Sequence, residues 1–195
     1  MSAEQQTRSE VLAKGALAVG SVYGALAVGP YVRHALAASN SGDVDILNFA
    51  LTLEYLEAKF YEEAKSRAKA SGELKSLVDL LATDEQQHVE ALTATIEQLG
   101  GKPVAEPEFD FPYSGTSGFL ELAQTLEDTG VSAYNGAAPM IKSKEVLAAA
   151  GGIVQVEARH AAAIRLQNDA PPAPAAFDPP LDEKQVMKAV EPFLA

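Results

Sequence analysis

Two copies of an E-x-x-H pair, Glu85–His88 and Glu157–His160, stand 72 residues apart in this chain. Each follows a lone glutamate: Glu54 precedes Glu85 by 31 residues, and Glu127 precedes Glu157 by 30. Seven residues after each lone glutamate comes a tyrosine, Tyr61 or Tyr134. On a helix, residues three apart lie one turn along and roughly 60° round. The Glu and His of each pair therefore face one way, and each lone glutamate lines up with its tyrosine. The lone glutamates interrupt apolar stripes: Leu53, Leu56 and Phe60 surround Glu54, and Leu126 and Val131 surround Glu127. A buried carboxylate without a partner is expensive, so six such groups converging demand cations. Two divalent metals balance the four carboxylates. Four carboxylates and two imidazoles in this order are the ligand set of a carboxylate-bridged two-metal centre in a four-helix bundle. One E-x-x-H alone is weak evidence. Here two of only three histidines hold equivalent places in two half-repeats.

The periodicity supports that frame. A helix is predicted from Asp43 or Asp45, either of which can cap it, to about Ala70, with Ile46, Phe49, Ala50, Leu53, Leu56 and Phe60 along its apolar stripe. Ser71-Gly72 breaks it, and a second helix runs from about Glu73 to Leu99. Residues 100–115 are rich in Gly, Pro and aromatics and read as a long crossover. Ser117 is the expected cap of a third helix ending near Ala138, and a fourth follows Ser143 to about Gln167, weakened or bent by Gly151-Gly152. Residues 170–180 hold five prolines and are not regular structure. Leu181 to Leu194 form a short amphipathic helix, expected to dock through Val186, Val190, Phe193 and Leu194. The expected fold class is all-α: a four-helix bundle with two short turns and one long crossover.

Composition narrows the function. The formal charge of −12 and absence of a basic cluster exclude nucleic acid as a partner. With no cysteine, thiol catalysis, thiolate zinc sites and cysteine-held clusters are excluded. Residues 15–32 are free of charge and follow Arg8 and Lys14. Residues 1–42 thus read as an export signal with Ala35-Leu36-Ala37 at the cleavage site, a membrane anchor, or a retained helix and linker. The run Thr7 to Lys14 resembles a twin-arginine signal but has Ser9 where the second arginine belongs and Val11 in place of phenylalanine. The location expected from this segment is the cell envelope or another extracytoplasmic compartment, with the cytoplasm as the alternative. Membrane association and a homo-oligomer are both compatible with the chain.

The run from Asn48 to Tyr61, NFALTLEYLEAKFY, together with the six repeated ligand positions, resembles the ferritin-like superfamily, and within it the bacterial ferritin-like family described as desiccation-related. The likeness covers residues 43–168, leaving residues 169–195 as a proline-rich tail and short helix. It implies that Glu54 and Glu127 are terminal ligands, one per metal, that Glu85 and Glu157 bridge, and that His88 and His160 complete the two coordination shells. The implied cofactors are two iron or two manganese ions, since carboxylate and imidazole suit either. Tyr61 and Tyr134 are the candidate catalytic residues, bonding a ligand or shielding the metals. Asp84 and Asp128 either support a histidine across the bundle or face water. Glu57, one turn after Glu54, is either an additional carboxylate near the cluster or solvated surface charge, and Arg159 and Arg165 either pair with acidic groups around the fourth helix or face water; solvated charge is the expectation for all three, and His34 is expected as a flank of the apolar segment.

The expected activity is a di-iron or di-manganese oxidoreductase acting on dioxygen, peroxide or ferrous iron, fed by an unknown electron donor, in stress protection. Ferroxidase, peroxidase and manganese-catalase-like reactions all fit. The alternative is a metal-stabilised structural or interaction protein of the cell envelope. A third option is a redox-inactive bundle whose former ligands are dispersed in solvent.

Overall fold

A computed structural model describes residues 41–195. The N-terminal apolar segment, its reading as signal, anchor or helix, and His34 lie outside the described residues. Among the described residues no helix is long and apolar enough to cross a membrane.

Four long helices carry the chain: α1 (Ser41–Arg67), α2 (Gly72–Gln98), α3 (Gly115–Ala137) and α4 (Lys144–Gln167). A 3-10 turn at Ala138–Met140 joins α3 to α4, and a short helix α5 (Glu183–Val190) runs into a 3-10 turn at Glu191–Phe193. The expected all-α bundle is present. Its boundaries differ in instructive places. α1 stops at Arg67 rather than near Ala70, because Lys69 takes a left-handed φ of 53° that a continuing helix does not allow. α3 starts at Gly115, after Ser114 rather than at Ser117. Gly151 and Gly152 do not break α4: both face open space, and Ala150 and Ile153 beside them pack into the core. Asp43 does not cap its own helix. Its buried carboxylate accepts the backbone amides of Lys142 at 2.9 Å and Ser143 at 2.8 Å, tying the start of α1 to the start of α4. Ser143 then caps α4, its hydroxyl accepting from Val146 N.

The α2–α3 connection travels the length of the bundle. Near its start, Asn48 on α1 holds Lys102 O and Val104 N through its amide side chain. Near its end, Arg67 donates to Phe111 O at 3.0 Å and stacks over the Tyr113 ring, and Thr116 donates to Ala68 O. From residue 48 to 67 a helix rises about 28 Å. The nine steps from residue 102 to 111 reach about 30 Å when extended, so the segment must be stretched, and Pro103 and Pro107 keep it from coiling into a helix. The connection places α3 antiparallel to α1, so the two half-repeats face each other.

Two apolar clusters lie at opposite ends of the bundle. One gathers Phe60, Tyr61, Phe111, Phe119, Leu126 and Ile164; the other gathers Leu47, Leu51, Val89, Ile96, Val146 and Ile153. The C-terminal segment joins the first. An Asp182–Gln185 capping box starts α5, and Val186, Val190 and Phe193 are buried as expected, while Leu194 is half-buried and bridges Phe109 of the crossover. Just before α5, Leu181 N donates to Ser132 O on α3 at 3.0 Å. This approach depends on Gly136: a Cβ there would sit 1.9 Å from Leu181 O.

Gly136→Ala is therefore expected to push the segment off α3 and destabilise the protein by about 1–3 kcal/mol, the usual range for overpacking, measured as a lower midpoint in denaturant with an unchanged helical far-UV spectrum.

Candidate metal centre

The bundle interior between the two clusters is polar. α1 contributes Glu54, Glu57 and Tyr61; α2 contributes Asp84, Glu85 and His88; α3 contributes Glu127 and Tyr134; α4 contributes Glu157 and His160. Glu54, Glu85, Glu127 and Glu157 are each 0% exposed, and His88 and His160 are buried with them. The six side chains expected at the metals thus converge, and the dispersed-ligand reading is overturned. They form two overlapping groups: Glu54, Glu85, His88 and Glu157, and Glu85, Glu127, Glu157 and His160, each offering ligand atoms within 4.8 Å of one another. Glu85 and Glu157 belong to both.

The fit to metals rests on the orphaned atoms. Among the described residues six buried side-chain atoms make no well-formed hydrogen bond: Glu85 Oε1, Glu127 Oε2, both oxygens of Glu157, His160 Nδ1 and Tyr113 Oη. Such atoms are rare in folded proteins and demand an explanation. Five of the six belong to the two groups, Tyr113 Oη being the exception. His88 Nδ1 faces three carboxylate oxygens, of Glu157 at 2.9 Å, Glu85 at 3.0 Å and Glu54 at 3.2 Å. A single ring proton cannot satisfy three acceptors. His160 Nδ1 lies 2.7 Å from Glu85 Oε1 and 3.8 Å from Glu127 Oε2. Both imidazoles turn the same nitrogen inward, and carboxylate oxygens with imidazole nitrogens are the donor set of iron and manganese. The residues present fit a pair of such ions.

Around the ligand atoms, hydrogen bonds fix orientation. Tyr61 Oη donates to Glu127 Oε1 and Tyr134 Oη donates to Glu54 Oε1, both at 2.5 Å. Each tyrosine reaches across the bundle to the glutamate of the other half-repeat. One oxygen of each end glutamate is thereby occupied, while Oε2 faces a histidine. Asp84 Oδ2 sits 3.2 Å from His160 Nε2, the carboxylate support that an inward-facing imidazole usually has. The position matching Asp84 in the second half is Val156, so His88 has no counterpart of this support. Asp128 is not at the centre. It pairs with Arg165 at 2.5 Å, so Arg165 is not free surface charge either; Arg159 is exposed as expected. The expectation for Glu57 was wrong. It is 3% exposed, because α1 buries two adjacent faces and the position one turn after Glu54 points inward with it.

Burial and mutual repulsion set the proton balance of these groups. Burial raises the Glu54 carboxyl to about 8, against the opposing pull of His88. Burial likewise raises Glu57 and Glu127 well above the ordinary carboxylate range, with neighbouring carboxylates adding to it. Burial also pushes Glu85 up, but His88 and His160 on either side outweigh it and hold the group below its usual value. The two histidines are disfavoured as cations by burial, yet the surrounding glutamates raise both well above 6.5. Tyr61 and Tyr134 are raised by burial and by their bonded glutamates, so both stay protonated donors.

A family model described as a ferritin-like domain matches residues 42–169. The chain belongs to the ferritin-like family. The matched stretch of this ferritin-like chain contains α1 to α4 and all six converging ligands. It is also similar to Protein rds1 of Schizosaccharomyces pombe (strain 972 / ATCC 24843), 24% identical over 160 residues that cover 78% of this chain and 39% of that protein. The chain therefore spans well under half the length of that curated relative.

For Glu57 and Arg165 the residues offered both an inward or paired role and solvated charge, and the structure takes the first in each case. A signal for Glu57 existed: it lies between Glu54 and Tyr61 on their shared face.

Two outcomes follow from this geometry. Glu54 has an ordinary value of 4.5 and a folded value near 8, so metal-free protein binds more protons folded than unfolded in that window. Its stability falls as pH rises from about 4.5 to about 8, and the raised histidines act in the same direction above 6.5. Chelator-treated protein is expected to show a lower Tm at pH 8 than at pH 5.5, and divalent metal is expected to reverse that order, because binding requires deprotonated ligands. Tyr61→Phe leaves Glu127 Oε1 buried and unbonded, and is expected to cost about 1–3 kcal/mol in urea unfolding of the metal-free protein.

Proposed function

We propose that this chain is a di-iron or di-manganese oxidoreductase acting on dioxygen, peroxide or ferrous iron. One observation carries the reading: five of the six buried side-chain atoms that make no well-formed hydrogen bond among the described residues belong to two overlapping groups that share Glu85 and Glu157. Membership of the ferritin-like family supports it. A bound iron or manganese pair would supply redox chemistry toward oxygen or peroxide, which no side chain of this protein supplies by itself.

The protein's own residues prepare the centre for that work. A bound pair would be held by Glu54 and His88 on one side and by Glu127 and His160 on the other, with Glu85 and Glu157, which belong to both groups, shared between them. The hydroxyls of Tyr61 and Tyr134 occupy Oε1 of the end glutamates, leaving Oε2 of each as the oxygen that would hold an ion. Asp84 fixes the His160 ring so that Nδ1 presents its lone pair. Phe60, Phe111 and Phe119, fully buried at the Tyr61 end, keep water from the ligands there. A dry surrounding strengthens every electrostatic contact. The uncharged, moderately apolar run of residues 15–32 supports an extracytoplasmic place of work, where a stress-protective oxidoreductase would meet oxidants.

A second reading is favoured by the complete enclosure of the four glutamates: a structural or interaction protein that uses metal for stability alone. The experiment separates them. Protein produced with both iron and manganese available is analysed for elemental content, then assayed for ferrous oxidation and peroxide consumption. Two ions per chain with turnover support the oxidoreductase. Two ions, a raised Tm and no turnover support the structural reading. Exchanging both His88 and His160 for Ala is expected to reduce the metal content and to abolish metal-dependent activity; an unchanged content of two ions per chain overturns the ligand assignment.

A further inference from the structure

Among the described residues, Met140 is 55% exposed and Leu147 39%, although both are large and apolar. They belong to one place: Met140 ends the turn between α3 and α4, and Leu147 lies one turn into α4. Lys142 and Lys144 stand between them and are exposed. These are the only basic residues between Lys102 and Arg159, in a chain of formal charge −12. Lys65 and Lys75 pair with nearby carboxylates, whereas among the described residues no ion pair joins Lys142 or Lys144 to one. Helix starts favour anions over cations. Yet Lys144 opens α4, and the Lys142 ammonium lies over Gly42 in the first turn of α1, 3.8 Å from where a Cβ would be. Neither lysine serves the helix beside it.

The described chain also begins at this turn. Asp43 holds the amides of Lys142 and Ser143 against the start of α1. Nine steps of chain, which span at most about 30 Å, separate Ser41 from Val32, the last of the uncharged residues 15–32. Ile141, together with Ile46, Phe49 and Ala137, lines a narrow apolar cleft of about 20 Å³ that reaches Tyr134. Asp45 and Glu145, exposed in the first turns of α1 and α4, balance the two lysines, so the patch is near neutral on an acidic molecule. Apolar side chains flanked by lysines suit the boundary of a lipid layer, where the stems lie along apolar surface and the ammoniums reach the headgroups. Lysine is depleted from protein interfaces, and a near-neutral patch matches headgroups that carry both charges.

We propose that the α3–α4 turn is a phospholipid-facing foot of the bundle, with Met140 and Leu147 at the acyl boundary and the ammoniums of Lys142 and Lys144 at headgroup phosphates. The bundle then stands on end, with Tyr134 toward the lipid and Tyr61 away from it. Nothing in this inference depends on the metal reading, and a metal-free protein would bind in the same way.

The chain has no cysteine, so a single introduced thiol can carry a fluorophore sensitive to its surroundings. Met140→Cys and Leu147→Cys report on the foot. Leu166→Cys and Phe177→Cys report on the apolar side chains exposed elsewhere, 39% and 89% in the parent. All four positions face water, so the full chain keeps its fold, checked by its helical far-UV spectrum. On adding phosphatidylcholine vesicles, emission is expected to brighten and shift to the blue at 140 and 147 and to stay unchanged at 166 and 177. Exchanging both Lys142 and Lys144 for Glu is expected to abolish the shift at 140, since like charges then face the phosphates. Labels at 140 and 147 that vesicles leave unmoved overturn the proposal, whether or not the protein binds. So does a shift confined to 177, or an equal shift at all four positions. Blue emission at 140 and 147 before vesicles are added overturns it as well, by showing that another part of this chain or a second copy covers the turn. A shift at 140 that survives the lysine exchange overturns the phosphate contacts.

Discussion

Four carboxylates held at zero exposure inside one bundle are the constraint on which the rest of this structure depends. Like charges this close repel strongly once water is removed, and the low dielectric that repels them also rewards any cation among them. The protein answers in two ways. Without metal, protons are retained: Glu54 and Glu127 are raised, and both imidazoles are held as cations by the glutamates around them. With metal, those protons are displaced. The apolar clusters at either end supply the folding free energy that the polar middle does not, which explains why aromatic and aliphatic packing is concentrated away from the ligands.

The long connection serves that arrangement. Two hairpins of helices could pack in several ways, but only antiparallel α1 and α3 bring Glu54 opposite Tyr134 and Tyr61 opposite Glu127. Asn48 at one end and Arg67 at the other hold the stretched segment against α1. The C-terminal segment then closes the same end from outside, pairing Asp110 N with Phe193 O and Ala195 N with Glu108 O. The polar centre is thus enclosed by connections as well as by helices.

Much of this was legible in the residues themselves. The spacing of Glu54, Glu85–His88, Glu127 and Glu157–His160 located the ligands because helical geometry converts sequence distance into direction. The crossover was legible from its Pro and Gly content, and the docking of Val186, Val190 and Phe193 from their spacing. What was not legible depended on partners far apart in the chain. Asp43 looked like a cap for its own helix, yet its carboxylate serves amides 99 and 100 residues away. Glu57 looked like solvated charge because the inward width of α1 is decided by α3, where Gly130 makes room. Arg165 and Asp128 meet only once α3 and α4 are packed.

The two tyrosine bonds join the same pair of helices in opposite senses. Tyr61 reaches from α1 to α3, and Tyr134 reaches from α3 to α1. If one helix slides along the other, both contacts leave their short geometry at once, because neither can lengthen without the other. They work as opposed latches that set the register of two helices to a fraction of a turn. The phenols are thus gauge blocks for the distance between the end carboxylates as well as donors to them.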